Sequence, residues 1–124
     1  MFVTEYANYQ NFILSNMPKI IIKNINNQEV DIYDTNKSVL QHFGEAHIDW
    51  MQACGGKGRC VTCTMVVHEG LENLSPMSTA EQKFQKMERL QSNERLACQC
   101  SLQGDILISI PQKYKLPHIN YSDN

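Results

Sequence analysis

Five cysteines carry the chemistry available to this chain, and three fall in one stretch: Cys54-Gly55-Gly56-Lys57-Gly58-Arg59-Cys60-Val61-Thr62-Cys63. The spacing is C-x5-C-x2-C, with three glycines inside the first gap. Thiolates are soft ligands suited to iron–sulfur clusters and to zinc. Three on one loop with one distant closing thiolate is the pattern a [2Fe–2S] cluster needs. Two downstream cysteines compete to close it, in Arg95-Leu96-Ala97-Cys98-Gln99-Cys100. In an extended segment Cys98 and Cys100 point the same way. The residues alone leave that choice open.

The glycines fit the same chemistry. A four-thiolate iron–sulfur core carries net negative charge, which is costly to bury unless dipoles face it. Gly55, Gly56 and Gly58 lack a Cβ and reach positive φ freely. A loop built on them can wrap tightly and aim backbone N–H groups at sulfur, as anion-binding nests do. Lys57 and Arg59 flank the site, either as a solvated face or as charges that favour the reduced state. In the second case, neutralising both lowers the potential. Thr62 is a candidate donor to a sulfur, though a backbone-bonded or solvent-facing hydroxyl fits equally well. His42, His47, His68 and His118 are scattered and lack the paired ligation of a Rieske centre. They read as packing or surface residues.

At these residues the chain resembles the [2Fe–2S] ferredoxins with x5 spacing: adrenodoxin, putidaredoxin-like proteins and the ferredoxin domains of some membrane reductases. The resemblance rests on Cys-Gly-Gly-x-Gly-x-Cys-x-x-Cys and on Arg95-Leu96-Ala97-Cys98-Gln99, and runs roughly from Pro18 to Pro111. Plant-type spacing has one residue fewer in the first gap. The resemblance implies an α+β, β-grasp fold: a mixed sheet with a crossing helix and a cluster-binding loop. It implies a [2Fe–2S] cluster held by Cys54, Cys60, Cys63 and Cys98, with Gly55, Gly56 and Gly58 around it. Cys100 is then a small buried apolar residue. A non-enzymatic one-electron carrier is implied, with a ferredoxin reductase and an acceptor oxidoreductase as partners. In adrenodoxin-like members an acidic helix between the third and fourth ligands docks basic partners. Here that region holds Glu81, Glu88 and Glu94 but also Lys83, Lys86, Arg89 and Arg95, so its acidity is diluted.

Regular elements must hold these residues. Lys19–Lys23 is β-branched and reads as a strand. Asn26-Asn27-Gln28 supplies a turn, and Glu29–Tyr33 alternates as a half-buried strand should. Asp34, Thr35 or Asn36 is the expected cap of a helix over about Lys37–Ala46, with Val39, Leu40, Phe43 and His47 on one face. Trp50, the only tryptophan, is expected to pack beside the loop. Thr64–Val67 reads as a strand that exits at Glu69-Gly70. Ser78 and Glu81 fit a capping box for a helix over about Thr79–Leu90, with Phe84, Met87 and Leu90 inward. Ile106–Ile110 is a buried strand ended by Pro111. Phe2, Tyr6, Tyr9 and Ile13 recur at helical steps near the start.

At 124 residues this reads as one small domain, able to bury a core without disulfides. The expected division is an extension (1–17), a ferredoxin-type domain (18–111) and a polar tail (112–124). The tail is expected to lie on the surface or to be disordered. A net charge of −2 gives no basic face of the kind nucleic acid requires. No apolar run approaches the ~20 residues of a membrane helix. The first residues read neither as a signal peptide nor as a transit peptide. Five cysteines without an export signal point to redox or metal chemistry in a reducing compartment, hence the cytoplasm. A monomer or weak dimer is expected. Two other readings stand: a redox-sensing or cluster-bearing subunit of a larger oxidoreductase, and a structural zinc module. Zinc sites usually bring cysteines in close pairs, which leaves the long first gap unexplained.

Overall fold

The computed structural model describes residues 17–122. The helical repeat at Phe2, Tyr6, Tyr9 and Ile13 lies outside the described residues. Strand β1 (Lys19–Ile22) puts Ile20 and Ile22 in the core. Asn26 and Asn27 turn the chain in the left-handed region, with φ of 52° and 56°, which asparagine tolerates better than most residues. Strand β2 (Gln28–Asp31) then pairs antiparallel with β1, Ile20 opposite Val30.

Helix α1 (Val39–Glu45) starts later than its expected cap. Ser38, not Asp34, Thr35 or Asn36, is the N-cap, in a reciprocal box with Gln41. The first core-facing residue is Val39, so the helix is capped immediately before it. Asp34 instead closes a local turn, accepting from the Asn36 N–H at 2.9 Å. His47 does not share the buried face. It lies past the helix at φ 59° and is exposed, while His42 is buried with its ring Nε2 2.8 Å from the Asp34 carbonyl.

Strand β3 (Thr64–Glu69) leads from the cysteine loop, and Gly70 ends it at φ 88°. Helix α2 (Thr79–Lys86) has the expected Ser78–Glu81 box but stops short of Leu90. Glu88 adopts φ 60° and the Arg89 N–H returns to the Phe84 carbonyl. Phe84 and Leu90 are buried, but Met87, at the helix end, is 51% exposed. Strands β4 (Glu94–Leu96) and β5 (Ile106–Ser109) complete a five-stranded mixed sheet of order β2-β1-β5-β3-β4. Among the described residues only the β1–β5 contact is parallel. Ile20, Ile22, Val39, Phe43, Met65, Leu96 and Ile108 share one core cluster. Residues 112–122 lie along the body. Tyr114 and Tyr121 pack against the core, and the Ser122 N–H donates to the Asn24 carbonyl at 3.0 Å. Among the described residues no helix is long and apolar enough to cross a membrane.

Candidate cluster site

Two kinds of structure bring the four candidate cysteines together. Cys63 directly precedes β3 and Cys98 lies two residues past the end of β4. The β3–β4 ladder pairs Thr64 with Leu96, and the Ala97 N–H donates to the Cys63 carbonyl. This register sets the Cys63 and Cys98 sulfurs 3.5 Å apart. Behind Cys98, the free N–H groups of the first turn of α1 find partners: Val39 donates to the Cys100 carbonyl at 2.8 Å and Leu40 to that of Ala97 at 2.9 Å. Helix starts need such partners, so α1 and the Cys98 segment fix one another.

Glu81 secures the same segment. Its carboxylate is fully buried and accepts from Arg95 Nε at 2.6 Å, Arg95 Nη2 at 3.0 Å and the Leu96 N–H at 3.0 Å, and the Ser78 N–H donates to it as well. The mixed-sign helix thus has an internal charge, and Arg95 is its internal partner. A Glu in a capping box gives no sign, in sequence, that it is buried as well.

Cys54 and Cys60 sit in a loop without helix or strand. Gly55, Gly56 and Gly58 all have positive φ, of 68°, 82° and 71°. The backbone N–H groups of Arg59, Lys57 and Cys60 consequently donate to Cys54 sulfur, and that of Gly58 to Cys98 sulfur. A Cβ on Gly58 would meet the Gln99 amide nitrogen at 2.7 Å, so that position admits only glycine while Gln99 stays in place.

The thiols respond to these donors. Burial pushes the Cys54 thiol up, but the Cys60 side chain and the loop N–H groups outweigh it and bring it down to about 7. At Cys98 the hydrogen bond from Cys63 is the largest influence. With the Gln99 amide and the Gly58 N–H it overcomes burial and lowers the thiol to about 6. Cys63, the donor to Cys98 and itself buried, is pushed up.

Cys100 does not join this group. The segment is not extended at this point: the Gln99 N–H closes a turn on the Leu96 carbonyl at 2.9 Å. The turn rotates Cys100 inward, where its thiol is 2% exposed, contacts the Leu96 carbonyl at 3.3 Å and is pushed up by burial.

Three further side chains touch the site. The Thr62 hydroxyl accepts from the Ala53 N–H at 2.8 Å, which leaves its own proton for Cys60 sulfur at 3.2 Å. The Gln99 amide donates to Cys98 sulfur at 3.5 Å. Trp50 stacks on Phe43 with ring centroids 4.2 Å apart and donates its indole N–H to the Cys63 carbonyl at 3.0 Å. Gln99 was not singled out from sequence. Its adjacency to Cys98 is the only signal, since the turn that folds its amide back is invisible in one dimension.

Among the described residues no three Cys, His, Asp or Glu side chains converge as a single metal ion would need. The sulfurs come as two contacting pairs, Cys54 with Cys60 and Cys63 with Cys98. A two-iron group with one pair per iron suits this arrangement; one tetrahedral zinc does not.

Comparison with known proteins agrees. Residues 22–103 match the family described as 2Fe-2S iron-sulfur cluster binding domain. The chain is 35% identical to 2Fe-2S ferredoxin-5 of Aquifex aeolicus over 103 residues, covering 77% of this chain and all of that one. It is 34% identical to a 2Fe-2S ferredoxin of Haemophilus influenzae over 88 residues, covering 69% and 77%. Among solved structures, the ISC-like [2Fe-2S] ferredoxin of Pseudomonas putida superposes with a TM-score of 0.62 at 27% identity, covering 82% of this chain and 98% of that one. A putidaredoxin mutant shares the fold, with a TM-score of 0.59 at 24% identity over 75% of this chain and 95% of that one. The β-grasp sheet, the paired sulfurs and the family match lead to one conclusion: this chain is a member of the [2Fe–2S] ferredoxin family, a cluster-bearing electron carrier.

Proposed function

We propose that Cys54, Cys60, Cys63 and Cys98 are the four ligands of the [2Fe–2S] cluster, one sulfur pair to each iron, with Gly55, Gly56 and Gly58 lining it. The observation that carries this reading is the set of backbone N–H groups already aimed at Cys54 and Cys98 sulfur. Such donors offset the cost of a buried anionic group and need no reorganisation when its charge changes. When bound, the cluster takes up one electron and gives it back. The chain's own contribution is to hold the thiolates, exclude water with Trp50 and Val61, and set the potential through hydrogen bonds to sulfur. With thiolate ligands throughout, the potential is negative.

On this reading residues 18–111 form the electron-transfer domain. The protein is a cytoplasmic carrier, monomeric or weakly dimeric, that catalyses no reaction of its own. It receives an electron from a ferredoxin reductase and passes it to an acceptor oxidoreductase, without nucleic acid. The first test is a visible spectrum of protein purified without oxygen, with iron and acid-labile sulfide assayed together. The expected result is a red-brown protein that bleaches with dithionite and holds about two irons and two sulfides per chain. A colourless protein that resists reconstitution and binds one zinc would mean that these cysteines hold the wrong metal for this reading, zinc in place of a cluster.

A further inference from the structure

The charges around the site are cationic. From Trp50 to Cys63 the charged side chains are Lys57 and Arg59, both exposed, and there are none from Cys98 to Leu102. The outer surface of α2 and its exit has the same sign. Lys83, Lys86 and Arg89 are exposed there against a single exposed carboxylate, Glu88. Glu81 does not count, because it points inward and is neutralised by Arg95. The chain as a whole carries −2, so the acidity lies elsewhere.

Part of it lies on β2, on α1 and between them, at Glu29, Asp31, Asp34 and Glu45. The lysines at that end are paired: Lys19 with Glu29, and Lys37 with Glu45. Among the described residues, none of Lys57, Arg59, Lys83 and Lys86 has a carboxylate within ion-pair distance. Their charge is available to a partner.

The α2 surface has an apolar centre as well. Met87 is 51% exposed and, with Lys83 and Lys86, lines an open hollow on the helix. Apolar contacts ringed by charge are the anatomy of a protein interface rather than of a solvated helix. The helix is also tied to the electron-transfer site. Glu81 bonds Arg95 and the Leu96 N–H, two residues before Cys98.

We propose that the outer face of α2, together with the Lys57–Arg59 rim, docks the electron-transfer partner, and that this partner presents an acidic surface with an apolar side chain for the Met87 hollow. This rests on the carrier reading. It reverses the polarity that resemblance to adrenodoxin-like proteins implies.

The experiment is anaerobic stopped-flow reduction of two haem proteins by dithionite-reduced holoprotein: the acidic soluble domain of cytochrome b5 and the basic cytochrome c. Electrostatic steering changes association rates by about 10–1000-fold and is screened by salt. The reaction with the acidic probe is expected to slow as salt rises. Lys83→Glu plus Lys86→Glu is expected to slow it at least ~10-fold at low salt while speeding the basic probe. Bleaching by dithionite must be unchanged in the variant, which separates a docking defect from a failed cluster. If the reaction with the acidic probe does not slow as salt rises, or the double variant matches the wild type with both probes, the proposal is overturned. Sedimentation at low salt covers the remaining occupant. Self-association abolished by the double variant would show that the face binds the acidic end of a second copy, and would also overturn it.

Discussion

The loop that carries Cys54 and Cys60 and the sheet edge that carries Cys63 and Cys98 reach the same end by different means. In the loop, every donor to Cys54 apart from the Cys60 side chain is a backbone N–H, and three glycines at positive φ aim them. The loop residues around Cys54 are exposed or half-buried. At the sheet edge, the 3.5 Å sulfur pair is set by ladder register, by two N–H groups of α1 and by a buried ion pair. The loop half is specified by conformation and the sheet half by packing. Damage to the loop should therefore loosen the cluster and leave the fold, while damage beneath the sheet edge should unfold both.

The sharpest break of this comparison lies within the sheet half. Cys98→Ser is expected to abolish the visible spectrum of the native cluster, while Cys100→Ser leaves it intact and costs only some packing. The Cys100 thiol faces the Leu96 carbonyl, a contact that a serine hydroxyl can keep. Iron content and absorption after reconstitution decide between the two. Retention of a native spectrum in Cys98→Ser would show that the turn at Gln99 can be rewound to present Cys100.

Glu81→Gln is the next largest. Removing one charge of a buried pair costs about 3–5 kcal/mol, because Arg95 is left desolvated and unpaired. Urea unfolding of the apoprotein should show this loss, with a spectrum still native where the variant remains folded. The pH dependence has a definite sign. Burial alone would raise the Glu81 carboxyl, but Arg95 and the Ser78 and Leu96 N–H groups hold it below its ordinary 4.5. A carboxyl lowered in the folded state stabilises fully above its unfolded value and loses that contribution as pH falls through the folded one. Wild-type apoprotein should therefore lose stability below about pH 4.5, and Glu81→Gln should flatten that limb.

The two halves were not equally legible in the sequence. The loop could be read because its chemistry is local: cysteine spacing and three glycines within ten residues state both ligands and backbone conformation. The β1–β2 hairpin, β3 and the Ser78 cap were readable for the same reason. Features that depend on distant partners were not. Ser38 caps α1 because Val39 is where the core begins, and core depth is a tertiary property. The buried role of Glu81 required Arg95, fourteen residues away, to fold beneath it. Met87 kept the helical repeat, yet the helix ended under it when Glu88 turned left-handed.

The smallest effects sharpen the comparison most finely, because each half has one donor to sulfur from a side chain other than cysteine: Thr62 in the loop and Gln99 at the sheet edge. In the loop, Thr62 receives the Ala53 N–H and passes its own proton toward Cys60. At the sheet edge, Gln99 donates to Cys98 and, among the described residues, its amide holds no backbone group in return. Reduction adds negative charge to the site, so a donor to sulfur favours the reduced form, and removing it lowers the potential. A hydrogen bond contributes about 0.5–1.5 kcal/mol net. For one electron, at 59 mV per tenfold, that corresponds to a ceiling of about 20–60 mV. Thr62→Val and Gln99→Leu should each lower the midpoint in protein-film voltammetry within that ceiling. They should part company in stability. Thr62→Val strands the Ala53 N–H and should speed iron loss to a chelator, whereas Gln99→Leu keeps an apolar side chain over Gly58 and should not. Equal iron-release rates in the two variants would mean that the loop's hold on Cys60 does not depend on Thr62, and that backbone conformation alone suffices.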